Sequence, residues 1–513
     1  MGAYDILVVG GGVNGAGIAR DAAGRGLSVL LVEQDDLAAH TSSLSTKLIH
    51  GGLRYLEYYE FRLVREALLE RERLMAIAPH IVHPMRFVLP VDTKIRPAWM
   101  VRIGLFLYDH LARRNTLPGS VRIDLSRDPR GEPLKPGTKD GFEYSDCGVD
   151  DSRLVVLNAL DARERGAQIR VGTRLESARR EGGLWVATLA DTASGAREEA
   201  SARVLINAAG PWVAEVLNRR VGLATGKHVR LVKGSHFVTP RLFDGEHAYI
   251  LQNPDKRIVF AIPYREQYTL IGTTDVPYEG SARDVAISAA ETDYLVQSIN
   301  HWFKRQIAPA DVAWSYSGVR PLFDDGSISA SAVTRDYVFD LDARDGEAPL
   351  LSVFGGKLTT YRKLAEHVMR DLARFLPGLK PTWTADAPLP GGDIPGGDMA
   401  RFIDGVLREK PFLGRPLASR LARAYGTRVR KILGDAHSLE DLGRDFGGGL
   451  FQAELEYLRA EEWARASEDV LWRRTKLGLG APAERAAAID GFFRGADERA
   501  LKSLKGLGPR PAS

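Results

Sequence analysis

Residues 4–33 constrain this chain more than any other stretch. A buried-strand pattern, Tyr4–Val9, runs into glycines at 10, 12 and 15; a helical run follows over 18–25, and a second strand over 27–33 closes on Glu33. That order is one βαβ unit of a parallel sheet covered by helices. Gly10 permits the tight turn, Gly12 lets a pyrophosphate approach the backbone beside Asn14, and Gly15 lets helix and strand pack closely. The phosphates of a dinucleotide then meet the positive end of a helix. Glu33 stands 23 residues beyond Gly10, where a carboxylate accepts hydrogen bonds from ribose hydroxyls and repels a 2′-phosphate.

With 513 residues, two or three domains are expected. The 70 basic and 66 acidic side chains nearly cancel, which argues against a nucleic-acid binder. The single cysteine, Cys147, excludes an intrachain disulfide and a cysteine-based zinc site. It reads as a small packing residue in a reducing compartment, and no metal site is expected. The strand at Tyr4 begins too early to leave room for a leader, so export is not expected. No run approaches the roughly 20 apolar residues of a membrane span, since 99–111 is interrupted by Arg102, Asp109 and His110. If the protein meets a membrane, it lies on it. The best candidate for that contact is 94–114, where Lys94, Arg96, Arg102, Arg113 and Arg114 surround an apolar centre, the pattern of an interfacial helix.

Helical spacing over 60–78 ends at Pro79, and 85–90 is a short strand leaving the nucleotide domain. Residues 118–141, rich in Pro, Gly and charge, read as an exposed loop. The apolar run 202–209, ending in Gly210–Pro211 near Trp212, reads as a further strand of the first sheet, reached after a long excursion. Strand-like stretches at 231–238, 248–252, 257–263 and 268–272 predict an antiparallel substrate sheet. A last strand at 350–354 precedes Gly355–Gly356 and a helix over 359–375. The run 387–397 has linker composition, and residues 398–505 read as helical. The expected organisation is α/β plus α. A discontinuous Rossmann-like domain takes 1–80, 145–225 and 340–386; a substrate domain takes 81–144 and 226–339; a helical C-terminal domain takes 398–513.

NAD and FAD share the glycine fingerprint, so other segments must choose between them. Thr41, Ser42, Ser45, Thr46 and Lys47, followed by Gly51 and Gly52, suit a cofactor that continues past its pyrophosphate. Gly355, Gly356, Leu358 and Thr359 form a second glycine turn at a helix start, able to stabilise negative charge on a flavin ring. Taken with these, the stretches GGGVNGAGIARDAAGRG (10–26) and GGKLTTYRKLA (355–365) resemble the two signatures of FAD-dependent glycerol-3-phosphate dehydrogenases. TSSLSTKLIHGGLRYLE, FEYSDCGVDD, KGSH, GTTD, YSGVRP, TRDY and LWRRTKLG extend the resemblance over nearly the whole chain. It is nearest to the bacterial aerobic, quinone-linked type, since no calcium-binding D-x-D-x-D-G loop is present.

The resemblance implies a fold of the glycine oxidase and D-amino-acid oxidase type with a helical cap, and bound FAD. It implies oxidation of sn-glycerol 3-phosphate to dihydroxyacetone phosphate with electrons passing to a quinone. It also implies a cytoplasmic protein on the inner face of the membrane, with a homodimer left open. An oxygen-using glycerophosphate or amine oxidase on the same fold is the alternative. The family's substrate positions fall on Tyr55, His236, Arg320, Arg335 and Lys357. A phosphate dianion calls for fork-shaped cations, which Arg320 and Arg335 offer from turns, unless they pair with Asp324 or Asp336. His236 is a candidate base, Lys357 a base or an electrostatic anchor, and His50 a packing residue near the flavin.

Overall fold

The computed structural model describes residues 2–112, 116–223, 229–255, 257–324, 336–344 and 346–506, with side chains described up to residue 496. The chain divides after Leu389 into two compact units.

Unit one is built on two sheets. In the first, the strands run Val338–Asp342, Leu350–Phe354, Arg197–Asn207, Tyr4–Val9, Val29–Glu33 and Gln168–Val171 in spatial order. Along this path of six the pairings are parallel except that of Val338–Asp342, which runs antiparallel to its neighbour at the edge. Parallel strands buried on both faces read as unbroken apolar runs, and Ile6, Leu7, Val8, Leu30 and Leu31 are at most 1% exposed. Three helices cover one face: Val13–Gly24, Asp151–Glu164 and Tyr361–Leu372. The buried Arg20–Asp161 pair, 2.6 Å apart, joins the first two, and Asn158 donates to the Tyr361 hydroxyl at 2.9 Å to join the third. The hairpin Thr173–Glu181/Leu184–Asp191 extends the sheet beside Arg197–Asn207.

Ten strands form the second sheet, and its pairings are antiparallel except where Val82–Pro90 meets Ala248–Gln252 in parallel. Its longest ladder matches Val229–Pro240 with Trp314–Phe323, placing His236 opposite Tyr316 and Val232 opposite Arg320. Helix Ala289–Trp302 packs Leu295, Ile299 and Trp302 against Phe237, Tyr249 and Ile271 of this sheet. The sequence pattern assigned 118–141 to an exposed loop. Instead Val121–Asp124 joins the sheet, and Ile123, Leu125 and Leu134 are buried. Three scattered apolar residues are too few to outweigh the local Pro, Gly and charge signal.

Unit two, from Pro390, is helical: Met399–Glu409, Gly414–Tyr425, Val429–Leu433, Gln452–Glu462 and Ala483–Gly506 are its α-helices. They enclose a core of Leu421, Tyr425, Val429, Leu455 and Leu458. Inside it the Glu454 carboxylate receives Arg420 at 2.6 Å and the Tyr425 hydroxyl at 2.7 Å, so a buried charge is paired.

Candidate active site

The glycine turn sits at the carboxyl end of the central parallel strand, where open α/β sheets bind ligands. Its glycines are imposed by space. A Cβ on Gly15 would lie 1.9 Å from the Gly10 carbonyl oxygen, and one on Gly10, at φ +112°, would meet the Ala208 carbonyl oxygen at 2.5 Å. The Glu33 carboxylate accepts from the Gly11 amide at 2.6 Å and the Asp35 amide at 2.9 Å. It therefore braces the turn as well as facing a cavity of about 130 Å³ that Gly10, Gly12 and Trp212 also line.

A second cavity of about 340 Å³ shares Gly12, Thr41, Ser42 and Gly210 with the first, so the two form one elongated cleft. Asn14, Ser45, Thr46, Gly52, Tyr55, His236, Arg320, Gly355, Gly356, Lys357, Leu358 and Thr359 all line it. Residues spread over more than 300 positions of sequence thus converge as the motifs implied. Asn14 ties the two glycine turns together by donating to the Gly355 carbonyl at 3.1 Å, while its own carbonyl oxygen is buried with no protein partner among the described residues.

Two expected cofactor residues lie elsewhere. The Lys47 ammonium turns inward onto Asp151, at 2.9 and 3.1 Å, and onto the Ser43 carbonyl. The Gly51 amide donates to the Tyr108 hydroxyl at 2.7 Å, and the residue packs against Leu68. Both act as supports behind the wall. Gly15 acts through its close packing on Gly10. Arg335 lies outside the described residues.

His236 is 2% exposed. Its Nε2 is 3.0 Å from the Thr46 hydroxyl, its ring stacks on Tyr316 at 4.8 Å and 12°, and its Nδ1 is buried with no partner among the described residues. Burial, helped by the positive charges of Lys47 and Arg320, pushes its pKa down to about 3. The imidazole is therefore neutral and able to accept a proton. Tyr316 is held by donating to the Ser45 carbonyl at 2.7 Å, and the Ser45 hydroxyl donates to Asp151 at 2.7 Å.

Arg320 lies on a strand, where turn residues were expected, because Pro321 sits within strand Trp314–Phe323 without ending it. Its guanidinium meets the Asp275 carboxylate at 3.2 Å and the Thr274 carbonyl at 3.0 Å. Asp324 pairs with Arg230 and Asp336 with Arg62. The Lys357 ammonium lies 3.9 Å from the centroid of the Tyr55 ring, a cation–π contact. Arg54, also on the cavity wall, is half-buried and makes no hydrogen bond or ion pair among the described residues. Sequence reasoning passed over it, although it stands beside Tyr55 in the GGLRYLE stretch. Such a cluster of cations is suited to a dianion.

Beside this mouth is an apolar surface. Helix Ala98–His110 exposes Trp99, Met100, Ile103 and Phe106, and the adjoining 53–61 segment exposes Tyr58, Tyr59 and Phe61. The inner face of the same helix carries Tyr108, which donates to Asp146 at 2.7 Å. No described helix is long and apolar enough to cross a membrane, and no cluster of metal-ligating side chains occurs among the described residues. Cys147 is buried.

The model of the FAD-dependent oxidoreductase family matches residues 5–362, and that of the C-terminal domain of alpha-glycerophosphate oxidase matches residues 382–495. A D-erythritol 1-phosphate dehydrogenase of Brucella abortus is 54% identical over 95% of this chain and 97% of its own. A glycerol-3-phosphate dehydrogenase of Pseudomonas aeruginosa is 57% identical over 93% of this chain and 92% of its own. The solved glycerol-3-phosphate dehydrogenase of Bacillus halodurans, complexed with FAD, superposes with a TM-score of 0.76 at 28% identity, covering 98% of this chain and 90% of that one.

Proposed function

Because the chain belongs to the FAD-dependent oxidoreductase family, in the branch of the glycerol-3-phosphate dehydrogenases, we propose that it oxidises sn-glycerol 3-phosphate to dihydroxyacetone phosphate on FAD and passes the electrons to a membrane quinone. The observation that carries this reading is the meeting, in one cleft, of a dinucleotide turn with the cations Arg54, Arg320 and Lys357 and the neutral imidazole of His236.

The cleft fits FAD on three counts: the space above Gly10 and Gly12, which a side chain would fill; the amides at the start of helix Val13–Gly24; and the unpartnered buried carbonyl of Asn14. Bound there, FAD supplies an acceptor for the hydride that leaves C2. The protein's own residues do the rest. Arg320, with Arg54 and Lys357, grips the phosphate and so fixes where C2 lies, turning remote binding energy into orientation. His236 takes the proton of the C2 hydroxyl, and a dianion beside Arg320 offsets the positive charge that holds the imidazole's proton affinity down. Arg335, which lies outside the described residues, is assigned to the same grip on the strength of the family position alone.

Support for a quinone and for peripheral attachment to a membrane comes from the apolar surface, while the cytoplasmic face of the inner membrane is assigned on the family resemblance. Tyr58 belongs both to that surface and to the cavity wall, so a lipid-borne acceptor reaches the cleft from the side that faces the bilayer. A second substrate reading, a four-carbon sugar-alcohol phosphate, is favoured by the 54% identity to the Brucella enzyme. Steady-state assay of quinone reduction with sn-glycerol 3-phosphate and D-erythritol 1-phosphate, with identification of the ketone formed, decides between them. Dihydroxyacetone phosphate as product with a clear preference for the three-carbon substrate is expected. Preference for the four-carbon one would transfer the assignment.

A further inference from the structure

Glu291 lies in the first turn of helix Ala289–Trp302, behind the sheet that carries His236 and Arg320. One carboxylate oxygen caps the helix in the ordinary way, accepting from the Ser288 amide and hydroxyl at 2.9 Å each, and it also meets the Lys233 ammonium at 2.7 Å. A capping box requires nothing more. Yet the second oxygen accepts from the Ser235 hydroxyl and the Thr274 hydroxyl, both at 2.8 Å. The Thr274 hydroxyl in turn accepts from the Ser235 amide at 2.9 Å, and the Ser235 hydroxyl is 2.8 Å from that of Ser317. One buried carboxylate, 6% exposed, therefore joins three separate pieces of chain.

Those pieces carry the site. Side chains alternate between faces along a strand, so Ser235 and Ser317 point toward Glu291 while their neighbours His236 and Tyr316, stacked on one another, take the opposite face. Thr274 provides the carbonyl that receives Arg320, and Asp275 beside it provides the carboxylate. We propose that Glu291 is a positioning residue, which through Thr274 and Ser235 fixes the guanidinium of Arg320, and secondarily the ring of His236, in the geometry that engages the phosphate-bearing substrate. Burial opposes ionisation of Glu291, but Lys233 and the surrounding donors outweigh it and hold its pKa down to about 2, so the anchor is charged throughout the working pH range.

The inference rests on the reading of Arg320 as a phosphate ligand, and a double-mutant cycle tests it in the flavin-loaded full chain. Glu291→Gln keeps the size and removes the charge. It should raise KM for sn-glycerol 3-phosphate about tenfold, the effect of weakening one charge-assisted hydrogen bond, with flavin content retained. In an Arg320→Ala background the same substitution should change KM less than twofold, because coupled residues are not additive. Ser288→Ala, which removes the cap alone, should lower the thermal midpoint and leave KM in place. Thr274→Val, close in shape but without the hydroxyl, should reproduce the KM rise and its disappearance in the Arg320→Ala background, and serves if Glu291→Gln does not fold. An equal KM rise in both backgrounds, a rise of the same size in Ser288→Ala, or an unchanged KM in Glu291→Gln and Thr274→Val would each overturn the proposal. If sn-glycerol 3-phosphate fails to reduce the parent's flavin, the functional reading falls first and this inference with it.

Discussion

The two ends of the cleft are made of different materials. At the dinucleotide end the shape comes from main chain: glycines at 10, 12 and 15 where a Cβ has no room or crowds a neighbour, a helix start, and one acid bracing the turn. At the substrate end the shape comes from side chains, each held by a neighbouring side chain or carbonyl: Arg320 by Thr274 and Asp275, His236 by Thr46 and Tyr316, Tyr316 by Ser45, and Ser45 by Asp151. Backbone sites fail as a whole when a side chain intrudes. Side-chain sites fail by degrees, since each ligand contributes separately.

That contrast predicts the ranking of substitutions. Gly15→Val, whose Cβ would fall 1.9 Å from a carbonyl oxygen, should abolish flavin retention altogether, checked by visible absorbance and circular dichroism of the purified chain. A yellow, folded Gly15→Val protein would break the contrast. His236→Ala should keep its flavin and lower kcat by about 10²–10⁴-fold, the usual worth of a positioned proton acceptor, with little change in substrate affinity. The same residue shapes stability. Its pKa in the folded chain is about 3, against roughly 6.5 when unfolded. Below the unfolded value the unfolded state binds more protons, so this contribution to stability, complete near neutral pH, is lost progressively as pH falls toward about 3. Thermal melts of the parent should show that decline, and those of His236→Asn a shallower one.

Arg320→Ala should raise KM for sn-glycerol 3-phosphate by about tenfold to 150-fold, the loss of a charge-assisted contact worth roughly 1.5–3 kcal/mol. Activity on unphosphorylated glycerol should barely move. An equal loss on both substrates would make Arg320 a structural residue. The smallest effect belongs to the surface: Trp99→Ser with Phe106→Ser, both more than half exposed, should weaken binding to anionic vesicles by about tenfold, at the scale of burying one large apolar side chain, and leave turnover with a water-soluble quinone unchanged. Partition equal to the parent's would remove the membrane contact from this helix.

The same difference in material governs what could be read from sequence. The strand–glycine–helix–strand–acid order of 4–33 is local, so periodicity and glycine spacing reveal it, and the strand Leu350–Phe354 was legible for the same reason. At the substrate end the family motifs name residues that line one cavity, but spacing could not say which way each side chain turns. Lys47 was expected at the cofactor and is instead buried on Asp151, a partner 104 positions away. Arg54 was overlooked because a lone arginine after a glycine pair has no local signature. The roles of Thr274, Asp275 and Glu291 emerge only from contacts among two strands, the segment 273–275 and a helix.

The central claim is that a dinucleotide site and a phosphate grip act on one substrate in one cleft, and anaerobic rapid-mixing measurement of flavin reduction tests it most directly. With sn-glycerol 3-phosphate the parent's flavin should bleach in a single fast phase that saturates with substrate; Arg320→Ala should need far more substrate to reach saturation, and glycerol should bleach neither protein at a comparable rate. A parent flavin that stays oxidised with sn-glycerol 3-phosphate, or that glycerol reduces equally well, would contradict the account.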